Sequence, residues 1–213
     1  MRRRALHLLA PYQPKEVLDV ATGTGDLAIE LVQTIPSITH VTGIDISEEM
    51  MRIGGEKVRM LGLDRKIDFL RQDSTATDFT EATFDAATIG FGIRNFSDIP
   101  AAARELHRIL RPSGVLIIVE LSEPTSPILH LGYKLYAGYI VPLIGRLMTE
   151  DKDAYSYLPQ SIKAVPQREQ MVEILKEAGF REAFYESIFP GSCTIYVGIN
   201  AAPIPFPTED IAE

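Results

Sequence analysis

The feature that most constrains the fold is a short apolar segment that leads into a glycine-containing turn and then into an amphipathic helix. The sequence of residues 17–26 is Val-Leu-Asp-Val-Ala-Thr-Gly-Thr-Gly-Asp. It predicts a buried strand over 16–21, a turn that holds Gly23 and Gly25, and a helix over 26–34. Glycine lets the backbone approach a bound group closely, and a helix start offers unpaired N–H donors. In many proteins that arrangement holds a phosphate group.

A carboxylate at the end of the predicted strand changes the expected ligand. Asp19 stands four residues before Gly23, and a fixed negative charge there favours a cationic or amine-bearing group over diphosphate. S-adenosylmethionine, which carries an α-amino group and a sulfonium, has that polarity. The glycines alone also satisfy a loose dinucleotide fingerprint. An NAD-binding oxidoreductase, or a tight turn with no ligand, therefore remains an alternative at this point.

The next strands and helices alternate along the chain. Strands are predicted over 40–46, 67–72, 84–91 and 114–120, with helices over 48–61 and from Ser97 or Asp98 to Leu110. Such alternation predicts a parallel sheet covered by helices on both faces. A helix over 167–178 and two strands, 180–188 and 192–200, then predict a C-terminal antiparallel hairpin. The predicted fold class is α/β, Rossmann-like, with a seven-stranded, mostly parallel sheet. The acid at Asp19 and the terminal hairpin favour the class I S-adenosylmethionine-dependent methyltransferase form of this fold over a dinucleotide-binding form.

One domain is expected over residues 1–200. It begins with a short helix with a basic start, and 124–165 is expected to be a lid or substrate insertion, apolar and helical in character over 126–148. Residues 201–213 carry three prolines and three acids and predict a disordered tail.

Composition narrows the function classes. The chain has 213 residues and a formal net charge of −8, which argues against nucleic-acid binding because that needs a basic surface. The single cysteine, Cys193, is interpreted as a core residue; it excludes an internal disulfide and suits a reducing cytoplasm. The four histidines are scattered, so no metal site is predicted. No run of about 18 uncharged apolar residues predicts a membrane span.

Further polar residues follow the predicted strands, and ligands in parallel sheets bind beyond the carboxyl ends of strands. Asp45 ends the second strand and can accept both hydroxyls of a ribose. Asp73, followed by Ser74, comes after the third strand and can bind the exocyclic amine of adenine. Ile46 and Met50 can cover the faces of that ring. The alternative for Asp73 is a solvated loop carboxylate.

The loop after the fourth strand carries a guanidinium and an amide, Arg94 and Asn95. Together they can orient a substrate oxygen and stabilise an oxyanion. The alternative is that Arg94 only pairs with a nearby carboxylate, and the spacing leaves both interpretations open.

These residues resemble the menaquinone/ubiquinone biosynthesis methyltransferases, and within them the demethylmenaquinone methyltransferases. The motifs that carry the resemblance are Val17–Asp26, Phe91–Asn95, Arg108–Ser122 and Tyr155–Ile162 followed by Pro166. The resemblance implies cofactor contacts at Thr24, Asp45, Asp73, Ser74 and Gly90, and places Arg94 and Asn95 in the loop associated with the quinol. The predicted cofactor-binding residues are thus Asp19, Gly23, Thr24, Gly25, Asp45, Ile46, Met50, Asp73, Ser74 and Gly90.

The activity implied by this resemblance is C-methylation of a polyprenyl quinol ring, with demethylmenaquinol as the expected acceptor. A benzoquinol precursor of ubiquinone is the alternative acceptor, and a non-catalytic nucleotide-binding module is the alternative of a different class. A lipid-soluble substrate implies transient contact with the membrane surface from the cytoplasmic side. Family members carry an N-terminal segment that helps to cover the cofactor. This chain starts within the last basic stretch of that segment, so the cap is expected to be missing.

Overall fold

The computed structural model describes residues 1–124, 162, 165–189 and 191–200. The strands and helices in chain order are α1 (Arg2–Leu9), β1 (Glu16–Val20), α2 (Asp26–Thr34), β2 (His40–Asp45), α3 (Glu48–Met60), β3 (Ile67–Arg71), β4 (Phe84–Gly90), α4 (Ile99–Ile109), β5 (Leu110–Leu121), α5 (Glu169–Glu177), β6 (Glu182–Ile188) and β7 (Cys193–Ile199). Short 3₁₀ turns lie at Ala10–Tyr12 and Ile93–Asn95.

The described strands form one seven-stranded sheet in the order β3-β2-β1-β4-β5-β7-β6. The first five strands in that order run parallel, and β7 is antiparallel to both β5 and β6. The predicted seven-stranded, mostly parallel sheet with its C-terminal antiparallel hairpin is therefore confirmed. The chain leaves β1 toward β2 on one side and reaches β4 on the other. The carboxyl ends of β1 and β4 consequently border a crevice, where ligands bind in such sheets.

Apolar residues cover both faces of the sheet. On β5, Val115, Ile117 and Val119 face a core cluster that also contains residues of α1 and α2. Leu116 and Ile118 face the second cluster, with residues of α4 and α5. A strand that is buried on both faces consists of an unbroken run of apolar residues. This is why the apolar run over 114–120 correctly predicted a central strand.

Most predicted boundaries agree with the structure within two residues, but β5 begins at Leu110, earlier than predicted. Leu110 pairs with Phe84, the register then shifts, and pairing resumes between Ala86 and Val115. The intervening bulge contains Ser113 with a φ of 64°. The sequence predicts a helix that ends at Leu110 and a strand that begins at Gly114, whereas residues 110–121 form a single bulged strand.

Two further boundaries differ because non-glycine residues adopt left-handed backbone conformations. β1 ends at Val20 because Ala21 has a φ of 52°. α5 starts at Glu169 because Arg168 has a φ of 51°. The predicted apolar stretch over 126–148, most of the 124–165 insertion and the tail over 201–213 lie outside the described residues.

Candidate active site

A cavity of about 790 Å³ opens at the carboxyl ends of β1, β2 and β4. It brings together nearly all of the residues that the sequence singled out. Those lining it are Asp19, Gly23, Thr24, Asp45, Ile46, Met50, Asp73, Ser74, Gly90, Arg94 and Asn95. Gly25 is the exception, since it lies behind the lining. The volume is in the range of small-molecule and cofactor sites.

Asp19 lies at the base of the cavity and is only 1% exposed. Its two carboxylate oxygens accept hydrogen bonds from the hydroxyls of Thr22, at 2.6 Å, and Thr88, at 2.7 Å. Burial raises the pKa of Asp19 to about 6, although these hydroxyls and the Ala28 amide lower it. The carboxylate is therefore mainly ionised near neutral pH, but at a cost that a bound cation would offset.

Thr22 and Thr88, which hold the Asp19 carboxylate, were not predicted from the sequence. Thr88 is the register partner of Asp19 across the β1–β4 pair, so its hydroxyl reaches the carboxylate only once these two strands are aligned. Thr22 stands three residues after Asp19. A Ser or Thr so close to an acid at the end of a strand was the signal that could have indicated a hydrogen bond to that acid.

The glycine turn is held by hydrogen bonds inside the protein. The Gly23 amide, at a φ of 56°, donates to Asp45 Oδ2 at 2.8 Å. The Gly25 amide donates to the Thr22 carbonyl at 2.9 Å. The other oxygen of Asp45 accepts the Ser47 amide at 2.9 Å. Because both glycine amides already have partners, the turn is poorly suited to bind diphosphate through them.

An aromatic ring under the turn explains why glycines are needed there. A Cβ added at Gly25 would lie 2.6 Å from Phe69 Cζ, and one at Gly43 would lie 2.7 Å from Phe69 Cδ1. At Gly54, in α3, the corresponding distance to Phe69 Cζ is 3.1 Å. The role of Gly25 is therefore to pack on Phe69, with its φ of 74°, rather than to face the cavity. Phe69 was not predicted from the sequence.

Lys57 connects α3 to the same turn. Its Nζ donates to Thr24 Oγ1 at 2.9 Å and to Asp26 Oδ1 at 2.8 Å. The contact joins the glycine turn and the start of α2 to α3.

The apolar and polar groups expected around adenine lie on the far side of Asp45. Ile46 is 72% exposed and Met50 is 44% exposed, and both line the cavity, so their side chains are open to contact with a bound ring. The Thr75 amide and hydroxyl both donate to Asp73 Oδ1 and lower the pKa of that carboxyl. Asp73 therefore presents a charged oxygen pair beside the cavity.

Arg94 and Asn95 line the opposite end of the cavity, on the 3₁₀ turn after β4. Arg94 Nη1 lies 2.7 Å from Glu120 Oε1. Arg94 thus pairs with a nearby carboxylate, which is one of the two interpretations that the sequence left open, and it also lines the cavity. Glu120 was missed, although a charged residue at the end of a buried apolar strand is uncommon enough to be a signal.

Two backbone elbows separate the two ends of the cavity. Ala21 follows β1 and Phe91 follows β4, and both have left-handed φ angles, 52° and 58°. The two turns touch: a Cβ added at Gly92 would lie 2.5 Å from Ala21 Cβ. Strained backbone of this kind often lies at functional sites.

The charges that line the cavity fit a cationic cofactor. Among the described lining residues there are four aspartates, at positions 19, 26, 45 and 73, and two arginines, at positions 2 and 94. An α-amino group and a sulfonium would be attracted to this lining, whereas a diphosphate would be repelled. Within the described part of the chain, no group of three or more His, Cys, Asp or Glu could hold a metal ion.

Comparison with known proteins supports the same ligand. The profile of the ubiE/COQ5 methyltransferase family matches residues 1–200. A demethylmenaquinone methyltransferase from Porphyromonas gingivalis is 46% identical over 93% of this chain and 81% of its own length. One from Thermus thermophilus is 39% identical over 92% of this chain and 88% of its own.

Solved structures support the fold. An S-adenosylmethionine-dependent methyltransferase from Aquifex aeolicus, 21% identical, superposes with a TM-score of 0.66 over 92% of this chain and 88% of its own. A phosphoethanolamine N-methyltransferase from Haemonchus contortus, in complex with S-adenosylmethionine, is 16% identical with a TM-score of 0.68 over 93% of this chain and 52% of its own. The fold, the acidic cavity and the sequence relatives agree, and the chain belongs to the ubiE/COQ5 family of S-adenosylmethionine-dependent methyltransferases.

Proposed function

We propose that this enzyme transfers a methyl group from S-adenosylmethionine to a ring carbon of demethylmenaquinol, giving menaquinol, S-adenosylhomocysteine and the proton that the ring carbon releases. The observation that carries the proposal is that Arg94 and Asn95 line the same cavity as Asp19 and Asp45. The residues proposed to bind the cofactor and those proposed to bind the acceptor ring thus line one cavity, and we call these two parts its cofactor end and its acceptor end. The relatives named demethylmenaquinone methyltransferase, 46% and 42% identical over more than nine-tenths of the chain, support the choice of acceptor.

The acceptor is the reduced ring. When bound, the cofactor supplies an electrophilic methyl on positively charged sulfur. An electron-poor quinone carbon does not attack such a methyl, whereas a hydroquinone carbon does, especially after a phenol loses its proton. The enzyme therefore needs a group that stabilises a phenolate rather than a nucleophile of its own.

Arg94 meets that need. Its guanidinium is a positively charged hydrogen-bond donor, so it stabilises the phenolate and favours proton loss from the phenol to water. Asn95, beside it on the same turn, orients a ring oxygen. Holding the carbon and the methyl in line supplies much of the rate enhancement.

Three carboxylates do the complementary work at the cofactor end. Asp19 is proposed to bind the α-amino group and Asp45 the ribose hydroxyls, with Ile46 and Met50 on the faces of the adenine and Asp73 at its exocyclic amine. Thr24, Ser74 and Gly90 line the space between these groups. A charged hydrogen bond of this kind contributes about 1.5–3 kcal/mol.

A benzoquinol precursor of ubiquinone is a second candidate acceptor. A protein from Dinoroseobacter shibae named ubiquinone/menaquinone biosynthesis C-methyltransferase is 36% identical over 89% of this chain and 76% of its own. The chemistry at Arg94 is the same for both rings, so only an assay with both acceptors separates them.

Transient contact with the bilayer surface is also proposed, because a polyprenyl quinol resides in the membrane. Among the residues that the structure describes, no helix is long and apolar enough to cross a membrane. The net charge of −8 argues against strong binding to anionic lipid. Sedimentation with vesicles should thus show weak binding that increases when the quinol is included, and binding that depends on anionic lipid would contradict this.

The test is methyl transfer from labelled S-adenosylmethionine to short-chain demethylmenaquinol, with a benzoquinol analogue and the oxidised quinone in parallel. We expect label in the naphthoquinol product and none with the quinone. Arg94→Ala should reduce turnover about 100-fold with cofactor affinity, measured by calorimetry, nearly unchanged. Binding of NAD in place of S-adenosylmethionine, or label in neither quinol, would refute the proposal.

A further inference from the structure

The buried acidic residue that pairs with Arg94 has no role in the function proposed above. Glu120 lies near the end of β5 and is 1% exposed. It does not line the cavity. A fully buried glutamate is rare unless it has a partner, so its contacts indicate what it does.

Two hydrogen bonds of the Glu120 carboxylate come from Arg94, and a third comes from Leu121, the next residue of β5. Oε1 accepts Arg94 Nη1 at 2.7 Å and the Leu121 amide at 2.7 Å, and Oε2 accepts the Arg94 amide at 3.3 Å. One carboxylate therefore holds both the backbone and the side chain of Arg94.

The sheet register explains how the two meet. Gly90 pairs with Val119 at the end of the β4–β5 ladder, and the Phe91 amide donates to the Val119 carbonyl at 2.8 Å. Glu120 is the next residue along β5, so it lies beside the chain as that chain leaves β4. The register of the sheet thus positions the Glu120 carboxylate, and this carboxylate in turn positions the 3₁₀ turn that carries Arg94.

We propose that Glu120 is the positioning residue that fixes the guanidinium of Arg94 at the acceptor end of the cavity. The contact uses one of the five N–H donors of the guanidinium, so the others remain available for a substrate oxygen. The pair is only 18% and 2% exposed in its side chains, and water screens it weakly. The inference rests on the proposed function for its kinetic consequence but not for the contact itself.

A chemical-rescue experiment tests the contact without any assay of activity. Arg94→Ala leaves a site shaped for a guanidinium against the Glu120 carboxylate. We expect millimolar guanidinium to raise the melting temperature of Arg94→Ala, and tetramethylammonium, which has the same charge and no N–H donors, to have no such effect. The double variant Arg94→Ala/Glu120→Gln should show no guanidinium-specific rise. An equal rise in both variants, or no rise in either, would overturn the proposal.

The kinetic arm separates positioning from simple support of the fold. Glu120→Gln should lower kcat about 10-fold to 100-fold, in line with the cost of misplacing a catalytic group by about 1 Å. The affinity for S-adenosylmethionine should stay within about threefold, and Glu120→Asp should recover part of the rate. In the Arg94→Ala background, Glu120→Gln should lower kcat no further, because groups that act as one unit are not additive.

Glu105→Gln is the matched control. Glu105 pairs with Arg108 at 2.6 Å on α4, away from the cavity, and the same change there should leave kcat within about twofold. Equal losses from Glu120→Gln with and without Arg94, or an unchanged kcat, would overturn the positioning role. A wild-type enzyme that labels no quinol would refute the proposed function alone, since guanidinium rescue still decides the Glu120 contact.

Discussion

Replacing Asp19 by asparagine is expected to make the protein more stable and its cofactor binding weaker. Folding raises the pKa of this carboxyl from 3.8 to about 6, chiefly by burial. The difference between these pKa values is about 2.2, which corresponds to about 3 kcal/mol. The charged form is therefore a net cost to the folded state, even with the hydroxyls of Thr22 and Thr88 in place. Asparagine keeps the shape and removes the charge.

The gain must depend on pH in a defined direction. A carboxyl whose pKa is raised by folding binds more protons in the folded state, so stability is lost as the pH rises through about 6 and is fully present below 3.8. Asp19→Asn should accordingly gain about 3 kcal/mol at pH 8 but only about 1.5 kcal/mol at pH 5.

The assay is urea unfolding of the ligand-free protein at both pH values. Asp64→Asn removes the same charge from an exposed position and serves as the control, with an expected change within about 0.5 kcal/mol. Calorimetry with S-adenosylmethionine at pH 8 should then show an affinity about 30-fold lower for Asp19→Asn, from the loss of about 2 kcal/mol in one charged hydrogen bond.

Two results would refute this reasoning. If Asp19→Asn is no more stable than the wild type at pH 8, the carboxylate carries no burial penalty. If the gain is equal at pH 5 and pH 8, it does not arise from ionisation. An unchanged cofactor affinity would remove Asp19 from the binding site and leave it a structural residue.

Three further predictions concern the surroundings of the site. A Cβ added at Gly55 meets nothing within 4 Å, so Gly55→Ala should stabilise the protein by about 1 kcal/mol in urea unfolding. A Cβ added at Gly54 would lie 3.1 Å from the Thr24 carbonyl. Gly54→Ala should therefore give no such gain, and calorimetry should show weaker cofactor binding. Burial raises the pKa of Asp85, but hydrogen bonds from the amides of residues 15 and 16 and from the guanidinium of Arg111 outweigh this effect and lower the pKa below 3.8. Asp85→Ala should therefore cost about 2 kcal/mol in urea unfolding at pH 7. The difference from the wild type should disappear as the pH falls below 3.8. Lys57→Met should weaken S-adenosylmethionine binding about threefold, and an unchanged affinity would show that its bond to the turn is dispensable.

Local signals in the sequence predicted the framework of the site well. The helix predicted to begin at residue 48 follows Ser47, and Asp98 is one of the two predicted starts of α4. Each of these two side chains accepts a backbone amide at its helix start. Asp19 and Asp45 were predicted to meet because parallel strands end at one edge of the sheet, and both line the cavity. These inferences need only the order of residues along the chain and the geometry of a strand–helix unit.

Contacts that depend on sheet register could not be predicted in the same way. Thr88 meets Asp19 because the two residues are directly paired between β1 and β4, and a slip of one residue would point Thr88 to the other face. Glu120 reaches Arg94 for a similar reason, across β4 and β5. Phe69 packs under the glycine turn from β3, 44 positions beyond Gly25, and no local pattern encodes such a long-range fit.

The contact between Ala21 and Gly92 links the evolution of the two ends of the cavity. One turn shapes the base of the cofactor end and the other leads into Arg94, yet they meet where there is room for a single methyl group. A Cβ at position 92 therefore requires the loss of the Cβ at position 21. Among relatives of this enzyme we expect at most one of these two positions to carry a Cβ, while the rest of the acceptor loop is free of this constraint.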